Sequence, residues 1–230
     1  MKTYLVGGSL PDEYVDLLGR RGRVVKLPPS ASVAAPTGTH PDTLIGKIGD
    51  KLFVPSSEEA VMKKLDESGI KYAPSSPLGN GYPAECALNF FTVGGFFVAK
   101  TDAVAPDALD YARRSGYEIV NVGQGYAHCA TAVAGGGVIT ADAGISARLL
   151  RRGVPTLMIK AGDISLPPFE YGFIGGASGM IDDETIMFFG SLDAHPSGGE
   201  IRAFLSSLGV GIVEGEGKLV DAGGFIALDT

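Results

Sequence analysis

Four short segments hold most of the side chains that could do chemistry. His40 and Asp42 stand two apart in TGTHPDTLIGKIGDKLFV, and Glu85 and Cys86 are adjacent in GYPAECALNFF. His128 and Cys129 are adjacent in GQGYAHCATAVAGGGVITAD, and Asp221 precedes Ala222-Gly223-Gly224. An imidazole and a carboxylate on one face can pass a proton and hold a cation. Read as the start of a strand, the stretch after Thr39 sends His40 and Asp42 from the same face. A thiol becomes a nucleophile when a neighbouring cation lowers its pKa. Plainer readings stand beside these: His-Pro-Asp is ordinary turn chemistry, and a free cysteine is among the most buried residue types.

The segments align with one another. Ala-Glu-Cys-Ala at Glu85 and Ala-His-Cys-Ala at His128 place those two residues in one slot, and His40 and Asp221 fall in the same slot of their own segments. If the segments repeat about a common axis, His40, Glu85, His128 and Asp221 converge into an ionisable cluster, which is a site candidate on physical grounds. Strand parity sends His128 and Cys129 to opposite faces unless a bulge intervenes, and the same holds for Glu85 and Cys86. Either cysteine, Cys129 or Cys86, is left as the reactive one. Pro167 to Asp183 reads as a tight loop lining the axis, with Glu170 and Asp163 as polar contributors. Ser178 there is no nucleophile elbow, because glycine follows it directly. His195 reads as a surface or capping residue, and Val6-Gly7-Gly8-Ser9 lacks the fingerprint of a phosphate loop.

The elements that must carry these residues recur. Short apolar runs at Leu52 to Val54, Phe96 to Val98, Val138-Ile139, Ile186 to Phe188 and Phe225-Ile226 are spaced by about 39 to 48 residues, the signature of a repeat architecture. Each is the second strand of a hairpin, and four are followed by a helix: Glu58 to Ser68, Pro106 to Ser115, Ala143 to Arg152 and Gly199 to Leu208. Those helices meet Gly69, Gly116, Gly153 and Gly209, as a left-handed stop requires. A β-rich run follows each glycine. Thr3 to Val6, Pro11 to Leu18 and Arg23 to Leu27 supply strand, helix and strand near the N-terminus, with Gly19 or Gly22 as the stop. The C-terminal Phe225 to Leu228 has no helix of its own. A ring in which the first strand completes the last unit leaves no open sheet edge. The expectation is an α/β fold of five hairpin-helix-strand units, a closed propeller forming one domain over residues 1–230.

Composition narrows the function classes. With 45% hydrophobic and 20% charged residues the chain reads as globular, and 34 glycines in 230 suit a compact set of hairpins. A formal charge of −7 without a basic stripe speaks against nucleic acid as partner. Two cysteines imply a reducing compartment, and neither a signal segment nor a membrane span is evident, so a cytoplasmic location away from membranes is expected. A homodimer is admitted as an assembly, and no metal or organic cofactor is expected.

His40-Pro41-Asp42-Thr43 resembles the H-x-D-T segment of arginine deiminases, and Gly125 to Thr131 resembles their G-x-x-H-C-x-T segment. At the level of five repeats the chain resembles the pentein fold of guanidino-group-modifying enzymes. It is also similar to an uncharacterised group of small pentein proteins with a Q-G-Y-x-x-C segment, here Gln124 to Cys129, and a Y-G-F-I-G-G-A-S-G segment, here Tyr171 to Gly179. The resemblance implies Cys129 as nucleophile and His40 as proton carrier. Asp42, Glu85, Asp221 and His128 would hold the substrate cation, and a thiouronium-type intermediate would be hydrolysed. In those enzymes the nucleophile lies in the last repeat, where this chain has Ala222. No arginine falls in the expected interior to clamp a carboxylate, so a small cationic molecule without one is the expected partner. The rival is a non-catalytic pentein, either a ligand-binding pseudoenzyme or a module like the ribosome anti-association factors, whose L-G-N turns Leu78-Gly79-Asn80 resembles.

Overall fold

The computed structural model describes residues 2–229. Five three-stranded sheets share one build. The first contains β1 (Lys2–Val6), then α1 (Asp12–Gly19) and β2 (Gly22–Lys26), which runs parallel to β1. A loop and the one-turn helix α2 (Pro41–Leu44) lead to β3 (Gly46–Ile48), β4 (Lys51–Pro55), α3 (Glu59–Glu67) and β5 (Ala73–Ser75). The third sheet holds β6 (Phe91–Val93), β7 (Phe96–Ala99) and β8 (Glu118–Asn121), with α4 (Pro106–Arg114) between the last two. The fourth holds β9 (Thr131–Ala134), β10 (Gly137–Thr140) and β11 (Thr156–Met158), with α5 (Ala143–Leu150). A short β12 (Ile164–Ser165) precedes the fifth sheet, built from β13 (Ser178–Met180), β14 (Thr185–Phe188) and β15 (Gly211–Glu214), with α6 (Gly198–Ser207). The chain closes with β16 (Leu219–Val220) and β17 (Phe225–Asp229).

In sheets two to five an antiparallel hairpin is followed, across a helix, by a parallel strand on the other side. The first sheet takes its hairpin strand from the far end of the chain: β17 pairs antiparallel with β1, Leu5 opposite Ile226. The helices form because their apolar residues recur at helical spacing and bury one face. Val61 and Leu65 of α3, Ile145 and Leu149 of α5, and Ile201 and Leu205 of α6 are fully enclosed. Asp142 caps α5 by accepting the Ile145 amide, and Pro106 occupies the first turn of α4, where its missing N–H costs nothing. Gly69, Gly116, Gly153 and Gly209 all take positive φ, from 70° to 83°. The left-handed stop therefore holds for four helices, while at α1 neither Gly19 nor Gly22 takes positive φ.

Two local expectations are corrected. His40 and Asp42 are not on a strand: His40 is extended (φ −71°, ψ 119°) and caps α2, with Pro41 in its first turn. The residue before a proline is pushed out of helical space, and the proline then starts the helix. Tyr126 to Ala130 are not the head of β9 either. Tyr126 O accepts from Ala130 N at 2.9 Å and His128 O from Thr131 N at 2.9 Å, a turn that winds the chain before the strand begins at Thr131. No helix among the described residues is long and apolar enough to cross a membrane.

Candidate active site

Helix α2, the turn before β9 and the segment between β16 and β17 bring His40, Asp42, Cys129 and Asp221 together, all at most 6% exposed. His40 Nδ1 lies 3.6 Å from Asp221 Oδ1. His40, Asp42 and Asp221 each offer one ligand atom, and these atoms lie within 4.8 Å of one another, so among the described residues this trio could hold a metal ion. Asp42 Oδ1 accepts from Thr43 Oγ1 at 3.3 Å, whereas Asp42 Oδ2 is buried with no hydrogen-bond partner among the described residues.

Asp221 is fixed by pairings that no local pattern announces. β12 and β16 run parallel, Ser165 opposite Val220, and the Asp221 amide donates to Ser165 O at 3.0 Å. Its carboxylate then accepts the Phe173 amide at 2.8 Å and the Gly223 amide at 3.1 Å. A Cβ on Gly176 would overlap the Asp221 carboxylate, so the glycine-rich loop before β13 has to be bare there for the acid to seat.

Asn89 ties the cysteine to the helix. Its Nδ2 donates to Asp42 O and to Cys129 Sγ, both at 2.9 Å, and its Oδ1 accepts the amides of His128 at 2.8 Å and Cys129 at 3.2 Å. Sequence reading passed over Asn89; the one polar residue in the apolar run Cys86 to Phe91 was the signal. Asn89→Ala takes the partner from the buried Cys129 amide, the part-buried His128 amide and the Asp42 carbonyl, and a loss of about 2–3 kcal/mol is expected in denaturant unfolding.

A cavity of about 480 Å³ opens onto this cluster. His40, Cys129 and Asp221 line it together with Glu85, Glu170 and Tyr126, and no lysine or arginine does. Asp42 stands just behind that wall, within reach of His40 and Asp221. Glu85 accepts a hydrogen bond from the Tyr126 hydroxyl. Cys86, the neighbour of Glu85, does not line the cavity, and its thiol is pushed up to about 12 by burial and by the Glu85 charge. His128 is corrected: it lines a separate cavity with Lys47, Thr131 and Phe225, and its Nδ1 is buried without a partner among the described residues. The turn directs Cys129 and His128 apart, the outcome that parity suggested, through a geometry that is not a strand. Asp163 also falls outside the cavity lining, and Ser178 is buried with its hydroxyl donating to Ile174 O. His195 is buried rather than on the surface, its Nδ1 accepting the Ser197 amide at the start of α6.

The electrostatics describe a site short of positive charge. Burial lifts the Asp42 carboxyl to about 7, the Asp221 charge adding to it, and burial lifts Asp221 to about 6 against the pull of its two amide donors. Burial lowers His40 to about 4. The Cys129 thiol is held well above its ordinary range by burial and then by the Asp42 and Asp221 charges. At rest near neutral pH His40 is therefore uncharged and the Cys129 thiol keeps its proton. A cation placed among these residues opposes each carboxyl and thiol shift, because an opposite charge favours the ionised form.

No curated protein matches the chain in sequence. Among solved structures it is similar to SxtG, an amidinotransferase from Microseira wollei in the saxitoxin biosynthetic pathway, with TM-score 0.53, 11% identity, and 89% of this chain and 73% of that one covered. It is also similar to DDAH from Pseudomonas aeruginosa, solved as a cysteine-to-serine mutant complexed with citrulline, with TM-score 0.52, 10% identity and 98% of each chain covered. Both are pentein-fold enzymes, and at such identities the likeness bears on the fold alone. The chain has the pentein fold and, by a match over residues 5–226, belongs to a family of unknown function (DUF6873).

Proposed function

We propose that this protein is a cysteine-dependent hydrolase or deiminase of a small guanidino or amidino compound. The observation that carries the reading is the enclosure of Cys129, His40 and Asp221 in one cavity, with Asp42 behind them and no basic side chain on the wall. A planar guanidinium or amidinium supplies the missing charge and offers N–H groups to Asp221, with the Asp42 carboxyl behind the wall adding its charge. Its arrival lowers the Cys129 pKa, and the thiol proton passes to His40. Sγ then attacks the central carbon and a C–N bond breaks. The departing nitrogen leaves as an amine or ammonia with the proton that His40 held. The thiouronium that remains is hydrolysed when His40 takes a proton from water and hydroxide adds to the same carbon, the C–S electrons returning to sulfur. The two solved neighbours, an amidinotransferase and a DDAH bound to citrulline, support guanidino chemistry as the class. Five sheets arranged as propeller blades about an axis, in one domain, belong to the same proposal. Pairing of β17 with β1 supports it, as do contacts of β3 with β6, β9 with β13 and β13 with β17.

A pair of alkylating reagents matched in shape tests the reading. 2-Chloroacetamidine is cationic and 2-chloroacetamide is neutral. At pH 7 the amidine is expected to label Cys129 at least about 10-fold faster, despite the raised thiol pKa, because the reagent carries the charge that ionises the sulfur. Peptide mass mapping reads the site. Equal rates, or labelling of Cys86 alone, leaves the non-catalytic alternative in its place. Dialysis against a chelator is expected to leave the preference unchanged.

A further inference from the structure

The cavity says more than that its ligand is cationic. Its aromatic wall is made by Tyr126 and Phe173, which lie beside Cys129 and Asp221, and by Phe169 and Tyr171, with Glu170 between the last two in the chain. Phe169 and Tyr171 are 55% and 40% exposed, and Tyr82, whose ring stacks on Tyr126 at 5.7 Å, is 56% exposed. Among the described residues these are three of the five most exposed large apolar side chains; Phe169 and Tyr171 line the cavity, and Tyr82 packs on its Tyr126 wall. Tyr126 and Phe173 continue the row inward at 6.3 Å between centroids. Isolated exposed apolar residues need no explanation, but an aromatic group rimming a cavity marks a binding surface. Glu170 is exposed and forms no ion pair among the described residues. Ring faces and a free carboxylate both attract cations and both repel a carboxylate.

Building on the guanidino reading, we infer that the substrate carries a second cationic group, an amine, at the end remote from the guanidine or amidine. An aliphatic chain would lie along Tyr126 and Phe173, with the distal ammonium against Glu170 and the outer rings. An α-amino acid tail is disfavoured, since its carboxylate would enter a cavity whose wall carries Glu85 and Glu170 and no arginine or lysine to receive it.

Binding to Cys129→Ser protein tests this without chemistry. Thermal-shift titrations would compare 4-guanidinobutylamine, butylguanidine and arginine. The aminoalkyl compound is expected to bind at least about 5-fold more tightly than butylguanidine, and arginine most weakly of the three. Glu170→Gln is expected to erase the advantage of the amine and leave butylguanidine unchanged. Arginine binding as well as or better than the amine, no binding by any compound, or an indifferent Glu170→Gln overturns the inference. Competition of the same compounds against chloroacetamidine labelling of the unaltered protein gives the ranking a second way, should the serine variant not fold. The two readings fail separately. Selective labelling of Cys129 with the wrong ranking sinks only the diamine-like substrate, whereas the right ranking without labelling sinks only the catalytic thiol.

Discussion

Cys129→Ser protein is expected to turn over guanidino compounds at least about 10³-fold more slowly than the parent, while Cys86→Ser stays within about threefold. The two thiols sit in similar local sequence and differ only in what the fold places around them. Cys129 lines the cavity with His40 and Asp221 and is held by Asn89, whereas Cys86 lies outside that lining against Gly125. Serine keeps the volume and a hydroxyl for the Asn89 contact, so the fold should survive. An alkoxide is far harder to form than a thiolate, so the attacking group is lost. Steady-state product assays with both variants measure the difference, and loss of activity in Cys86→Ser alone would exchange the roles.

The second large effect is a trade of activity for stability at Asp42. Burial raises this carboxyl to about 7, above the usual range of an aspartate in an unfolded chain. The folded protein therefore holds a proton there that the unfolded chain gives up as pH rises through roughly 4 to 7, and its stability falls across that window. Asp42→Asn removes the titration. The variant is expected to match the parent near pH 4 and to exceed it by on the order of 2 kcal/mol at pH 8, where the parent must bury an uncompensated charge. His40 and His128, lowered to about 4 by burial, titrate in the opposite sense, with stability lost as pH falls from about 6.5 to 4, but they do so in both proteins and cancel from the comparison. Activity goes the other way. With the carboxyl replaced by an amide the guanidinium loses a nearby negative charge behind the wall, and a fall of about 10²-fold in kcat/KM is expected. Urea unfolding at the two pH values, beside kinetics at pH 8, reads both effects.

Much of the fold was legible because its cues are local. A helix stopped by glycine, with a β-rich run after it, recurs four times, and each glycine carries the conformation that the pattern asks for. The aligned slots put His40, Glu85 and Asp221 together, and those three line one cavity; Cys129, which only the family resemblance assigned to them, lines it as well. What escaped depends on contacts distant in sequence. The pairing of β12 with β16 spans two residues of each strand, too short for any periodicity, yet it positions Asp221. Asn89 matters through Asp42 and Cys129, about 40 residues away on either side, and nothing beside it in the chain says so. Slot alignment also overreached at His128: equivalent positions in a repeat share backbone, but one turn before β9 aims that imidazole into a different cavity.

The covalent intermediate can be sought directly. Protein mixed with excess 4-guanidinobutylamine or butylguanidine, quenched in acid during turnover and weighed intact, is expected to gain one amidino or alkylamidino group. Peptide mapping should locate that group on Cys129, and Cys129→Ser protein should stay unmodified. Product accumulating with no adduct at any quench time, or at an undiminished rate in the serine variant, would contradict attack by this sulfur.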